Sequence, residues 1–311
     1  YSNLVTASTS PILVDTAANS GTWSGNLLSS NTSGLTKLGA GVLSLTGSNG
    51  YTGVTTISAG TLNLGSVNAI AGGGSLTFSG GVLQFGTSGA TYANQVANST
   101  SAIVVDAGVN NGTLSGNILS SNNAGLTKSG TGMLTLSGSN GYTGVTTINA
   151  GTLNLATAMA IGGGGSLTFL GGTLKFGVNG LTSANQVTGS TSMMFLDTGS
   201  NSETLSGNLD STNTGGLSKI GTGMLTLTGS NGYTGITRIN AGTVNLGSAT
   251  ALAGGGSLAF LGGTLMLGTS GATYTNPVAM SSGTAMMIDS AGNSGTLSGN
   301  IFSSNSGGLI K

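Results

Sequence analysis

The stretch that decides the fold runs from residue 35 to 64: LTKLGAGVLSLTGSNGYTGVTTISAGTLNL. Every second residue forms one series: Leu35, Lys37, Gly39, Gly41, Leu43, Leu45, Gly47, Asn49, Tyr51, Gly53, Thr55 and Ile57. After one extra residue it resumes as Gly60, Leu62 and Leu64. A period of two over this length is that of β-strands, and no helical stripe passes through it. The glycines divide it into short strands joined by corners, because glycine accepts the backbone angles that corners need.

The stretch recurs at 126–155 and 217–246, and GSNGYTG is identical at 47–53, 138–144 and 229–235. The pattern L-x-K-x-G-x-G-x-L-x-L-x-G-x-N-x-Y-x-G-x-T-x-I-x-x-G-x-L-x-L is met in each copy, with only Val244 in place of a leucine. It resembles the autotransporter-associated β-strand repeat, also called the passenger-associated transport repeat, of Gram-negative surface proteins. The resemblance implies a passenger displayed outside the cell. It also gives a reason for the absence of cysteine, since autotransporter passengers cross the outer membrane unfolded.

Around these stretches lies a longer repeat of 91 residues. A partial repeat, 1–37, precedes repeats 38–128, 129–219 and 220–311, the last longer by one residue near 279–285. The chain therefore reads as one repetitive domain, 1–311, and as a window on a longer protein. Tandem units of this kind bury their apolar faces against their neighbours. Within one repeat, similar strand cores begin at Gly41, Gly60, Gly81 and Ile103, and the next repeat opens its own at Gly132. The expected fold is all-β, a parallel β-helix (β-solenoid) built from 91-residue repeats of about four coils each. An antiparallel sandwich would place hairpin turns at Asn49-Gly50, yet alternation runs straight through that pair.

The 311 residues include 60 Gly, 2 Pro, no Cys and no His, with six basic and six acidic residues. Zero net charge gives no electrostatic footprint for nucleic acid, and no apolar run reaches the length of a membrane span. Without His or Cys there is no serine-histidine, cysteine-histidine or zinc constellation. The one local acid cluster is Asp197, Glu203 and Asp210, of which only Asp197 recurs between repeats. The glycine runs 72–74, 162–165 and 254–256 lack the Lys-Ser/Thr of phosphate loops and read as corners. No enzyme activity and no cofactor are expected.

Substitutions between copies sort the faces. Gln84 becomes Lys175 and Met266, and Thr56 becomes Thr147 and Arg238, so these positions face outward. Trp23 becomes Leu114, Leu205 and Leu297, as a core filler would. Tyr51, Tyr142 and Tyr233 share the phase of the leucines and read as packing residues ahead of sugar-stacking platforms.

Each repeat carries one acid and one base at a constant separation: Asp15 and Lys37, Asp106 and Lys128, Asp197 and Lys219, Asp289 and Lys311. That separation, close to one coil, suggests ion pairs stacked on adjacent coils. The strands ending at these aspartates are apolar on both faces, through Val104, Phe195 and Met287, and Leu28, Leu119 and Phe302 each follow an apolar neighbour. They suggest an outer row for self-association, lateral or end-to-end. The leading functional reading is a structural extracellular solenoid forming a surface stalk, fibre or layer. The alternative is an adhesin that recognises a glycan or another cell.

Overall fold

The computed structural model describes residues 1–281 and 283–311. The described residues form short strands and turns with no helix, and every strand pair is parallel, as in Val42–Leu45 with Thr61–Leu64 and with Gly21–Trp23. Tyr1–Gly165 and Ser166–Lys311 each form a compact unit. The expected parallel β-solenoid is what the chain builds.

In residues 1–165 the strands stack in three sheets. One holds Ile12–Asp15, Leu35–Leu38, Thr55–Ile57 and Leu76–Phe78. The second runs from Gly21–Trp23 through Val42–Leu45, Thr61–Leu64, Val82–Phe85, Ile103–Asp106 and Leu126–Ser129 to Thr146–Ile148. The third holds Ala90–Tyr92, Gly112–Leu114, Met133–Leu136 and Thr152–Leu155. Inside the second sheet, Leu43, Leu62, Leu83 and Val105 form one stacked column, all nearly free of solvent. Removing one such side chain from water is worth about 2 kcal/mol, and the period-two alternation supplies one or two per strand.

Residues 166–311 repeat the plan. Thr173–Phe176, Met194–Asp197, Leu217–Ile220, Thr237–Ile239, Leu258–Phe260 and Val278–Ser281 stack in one sheet. Glu203–Leu205, Met224–Leu227, Thr243–Leu246, Thr264–Met266, Met286–Asp289 and Leu309–Ile310 stack in another. The extra residue of the last repeat is absorbed as a bulge. Leu258 pairs with Val278 but the next residue, Ala259, pairs with Met280, so Ala279 has no opposite number. A bulge places one extra residue in one strand without shifting the rest of the ladder. Ser282, within the stretch assigned to the insertion, lies outside the described residues.

Four coils do not use up the whole repeat. Val42 stacks on Thr61, Thr61 on Val82, Val82 on Val104 and Val104 on Thr127. Those four steps therefore end at Thr127, short of Met133, which is the equivalent of Val42 one repeat later. The surplus carries the chain around one corner, so Met133–Leu136 falls in the third sheet while Val42–Leu45 lies in the second. Equivalent strands of successive repeats thus occupy different sheets: Ile12–Asp15 and Ile103–Asp106 within residues 1–165, Met194–Asp197 and Met286–Asp289 within residues 166–311.

Candidate functional site

The polar groups that recur in every repeat gather at the corners. Lys37, Lys128 and Lys219 point inward and are 0 % exposed. Lys128 stands in an interior column between Val105 and Ile148, Lys37 between Val14 and Ile57, and Lys219 between Leu196 and Ile239. Each ammonium sits in a cage of three main-chain carbonyls. Lys128 Nζ donates to the oxygens of Ser129, Gly130 and Ala150 at 2.7, 2.8 and 3.1 Å. Lys37 donates to Leu38, Gly39 and Ala59, and Lys219 to Ile220, Gly221 and Ala241. An ammonium has three donors, and the cage takes all three.

The stacked ion pairs expected from the constant separation are therefore replaced by this cage. The coil step at that point is longer by one than the separation of acid and base. Asp15 thus lies opposite Leu38 and Asp106 opposite Ser129, while the lysines pair one position earlier, with Val14 and Val105. Neighbouring residues of a strand face opposite sides, which sends the lysine inward and the aspartate out. Each aspartate instead closes its own corner: Oδ1 of Asp15, Asp106, Asp197 and Asp289 accepts the N–H of Ala17, Gly108, Gly199 and Ala291, at 2.7 to 2.8 Å. Those acceptor turns hold all four donors at positive φ. The stacking partner of Asp106 is on the preceding coil, where Gln84 Nε2 donates to its Oδ2 at 2.8 Å. Lys175 occupies the same register below Asp197, and Met266 below Asp289. Lys311 is exposed.

The charges still sense one another. Burial lowers the lysines from their ordinary value, Lys128 and Lys219 to about 8, and the aspartate across the corner opposes that shift. The carbonyl cage also favours the protonated form, because all three of its contacts need N–H donors.

Asparagines and tyrosines complete the corner. Asn140 Oδ1 accepts the Ile118 N–H of one neighbouring coil at 2.8 Å, and its Nδ2 donates to Ala160 O of the other at 2.8 Å. Asn49 and Asn231 make the same bridge. A second set, Asn31, Asn122 and Asn213, accepts from Ser8, Ser99 and Ser190 and donates to Val5, Val96 and Val187. Sequence reasoning placed the first set at corners but missed this second one, whose only signal is its recurrence once per repeat. Tyr51, Tyr142 and Tyr233 are 2 % exposed and share a hydrogen bond with Thr55, Thr146 and Thr237 at 2.6 to 2.7 Å. Burial raises their phenols to about 12. They fill the core and present no face to a sugar.

The residues expected to form an outer row do face outward. Met287 and Phe302 are exposed, and Val104, Phe195, Leu28 and Leu119 are half-buried. They do not line up. Because each repeat carries its strands around one corner, the strand of Val104 lies in a different sheet from Ile12–Asp15, and the strand of Phe195 in a different sheet from that of Met287. Any contact these residues make is distributed around the sheets.

Glu203 is the one buried carboxylate among the described residues, at 2 % exposure, in a position held by Gly112 one repeat earlier. Neither oxygen has a hydrogen-bond partner. Burial pushes it up to about 7, against the pull of the nearby Leu181 and Gly180 main chain, which favours the anion without closing a bond. Its folded value lies above its unfolded one, so it adds no penalty below about pH 4.5 and lowers stability as pH rises toward 7. The prediction is that Glu203→Gln raises stability by about 1–3 kcal/mol at pH 8 and leaves it unchanged at pH 4.5. Urea unfolding of both chains at the two pH values measures this. An equal difference at both would remove the charge from the explanation. Among the described residues no group of three His, Cys, Asp or Glu could hold a metal ion.

The passenger-associated-transport-repeat family matches residues 35–64, 126–155 and 217–246. The chain carries three passenger-associated-transport repeats. Each covers one caged lysine, one bridging asparagine and one core tyrosine, so the repeat motif describes four consecutive strands and the corners between them. Over 213 residues, 64% of its length, the chain is 34% identical to the Adhesin BmaC autotransporter of Brucella suis biovar 1 (strain 1330). It spans 5% of the length of that relative. No solved structure matches the chain.

Proposed function

We propose that this chain is an adhesin-like stretch of an autotransporter passenger, displayed outside a Gram-negative cell, and that it works as a structural solenoid and not as an enzyme. The observation that carries this is where the repeat residues go. Lysine, asparagine and tyrosine of each passenger-associated-transport repeat are consumed by the corner and core, which leaves the fold a scaffold whose outer side chains are free to vary. The relative with the adhesin name supports the surface role.

Self-association is a second part of the reading, favoured by the outward Leu13, Met287 and Phe302 at 65, 41 and 49 % exposure. Surface glycans are the other class of partner. The test is to display the chain on a non-adherent Gram-negative strain through a carrier barrel. Attachment to epithelial cells and settling of the suspension are then compared with the carrier alone. Increased attachment supports the adhesin reading, and increased settling alone supports the fibre reading. If neither differs from the carrier, both are wrong.

A further inference from the structure

Each passenger-associated-transport repeat contains Asn-Gly, at 49–50, 140–141 and 231–232. The asparagine is explained by its two bridges. The glycine is not. Gly50, Gly141 and Gly232 are half-buried, none has a positive φ, and a Cβ added to them would meet Ser29, Ser120 and Ser211 no closer than 3.6, 3.5 and 3.4 Å. Those are ordinary contacts, so the fold has room for alanine at all three positions.

Asn-Gly has a chemistry of its own. The peptide nitrogen of the glycine, after giving its proton to a base, can attack the asparagine side-chain Cγ. A new N–Cγ bond forms, the Cγ–Nδ2 bond breaks, and the nitrogen leaves as ammonia. Water then opens the resulting succinimide at either carbonyl to give aspartate or isoaspartate, so the net reaction is amide plus water to acid plus ammonia. An unhindered, flexible residue after the asparagine makes the attack easy.

The folded corner blocks every part of this. Asn49, Asn140 and Asn231 are at most 1 % exposed, which keeps water and base away. Their carboxamides are held between two coils by the bridges already described. The attacking nitrogens are engaged as well, with Gly50, Gly141 and Gly232 donating to Leu27, Ile118 and Leu209 at 2.7 to 2.8 Å.

We propose that these three asparagines are latent sites of spontaneous deamidation, protected while the corner is closed, and that reaction in the open chain prevents the corner from closing again. Aspartate in place of Asn140 would bring an anion against Ala160 O with no donor to offer it. Isoaspartate would add a backbone carbon and break the alternation of the strand that follows. The chain thus keeps a covalent record of time spent unfolded.

The test incubates the full chain at pH 9, folded or in urea, and follows each site by peptide-mapping mass spectrometry. Conversion at 49, 140 and 231 is expected to be more than about tenfold faster in urea, since the reaction needs the corner to open. Asn111-Gly112 and Asn179-Gly180, whose asparagines are exposed, report the behaviour of unburied sites and should show a smaller ratio. Equal rates at 49, 140 and 231 in the folded and unfolded chain would overturn the protection. After removal of urea, the modified fraction should fail to regain protease resistance. If it refolds with the parent's denaturation midpoint, the proposed block is wrong. The variant Gly50→Ala, Gly141→Ala and Gly232→Ala should fold as the parent does and lose most of the conversion in urea. A variant that folds and converts at the parental rate would also overturn the mechanism.

Discussion

Lys128→Met should lower the stability of its coil by about 2–4 kcal/mol, the cost of leaving main-chain carbonyls without their donor. Methionine has nearly the same length and fills the interior column between Val105 and Ile148, so the loss isolates the ammonium. Three carbonyls, of Ser129, Gly130 and Ala150, lose their donor in a half-buried corner, and an orphaned acceptor costs about 1–3 kcal/mol when fully buried and less where water reaches it. The Ser129 carbonyl keeps a second donor, the Ala107 N–H at 2.9 Å, which holds the sum below three full penalties. Hydrogen exchange over 126–155 in the full chain measures it, and protection equal to the parent's would show the cage to be dispensable.

A pH arm separates charge from packing. Lys128 falls to about 8 in the folded chain and has its ordinary value of 10.5 in the unfolded one. Between those values the unfolded chain binds more protons, so stability rises with pH over that window. Below pH 8 both states are protonated and the burial penalty is present in full. In Lys128→Met the part of this rise due to Lys128 disappears. A parent chain whose stability is flat from pH 8 to 10 would show that the three carbonyls hold the ammonium protonated throughout.

Gly132→Ala should be worse still, abolishing the native coil, while Gly141→Ala in the same repeat is close to neutral. A Cβ on Gly132 would land on the carbonyl oxygen of Asn110, on the coil stacked beside it, well inside contact distance and against main chain that cannot swing away. Gly41 and Gly223 face Asn19 and Asn201 in the same way. The corner cannot retreat without breaking the ladder between Met133–Leu136 and Gly112–Leu114, so the expected loss exceeds about 4 kcal/mol. At Gly141 the contact is ordinary, and alanine restricts the unfolded chain, which shifts stability by under about 1 kcal/mol. Circular dichroism and limited proteolysis of the two variants distinguish them. Equal behaviour would mean that close coil contact does not explain the glycine.

The face of each side chain within a strand was legible in the residues, because a period of two is set locally. Leu43, Tyr51, Ile57 and Leu62 are inside as their alternation requires, and Lys37 sits in that same series and is inside with them. The parallel solenoid followed as well, since self-similarity over so long a repeat admits few other ways to bury so many short apolar strands.

Only the tertiary structure decided what lies against what. A corner consumes an odd or an even number of residues according to its shape, so the phase is kept at some corners, as between Leu45 and Thr55, and shifted at others, as between Ile57 and Leu62. The separation of Asp106 and Lys128 along the chain therefore cannot tell stacked partners from residues on opposite faces of a sheet. A coil step longer by one made them the latter. The same effect moved Ile103–Asp106 out of the sheet that holds Ile12–Asp15 and turned an expected row into patches on different sheets. Coil length is fixed by where Gly132 meets Asn110 and where Asn140 reaches Ile118 and Ala160. Those are contacts between residues a full coil apart, and no local pattern in the sequence records them.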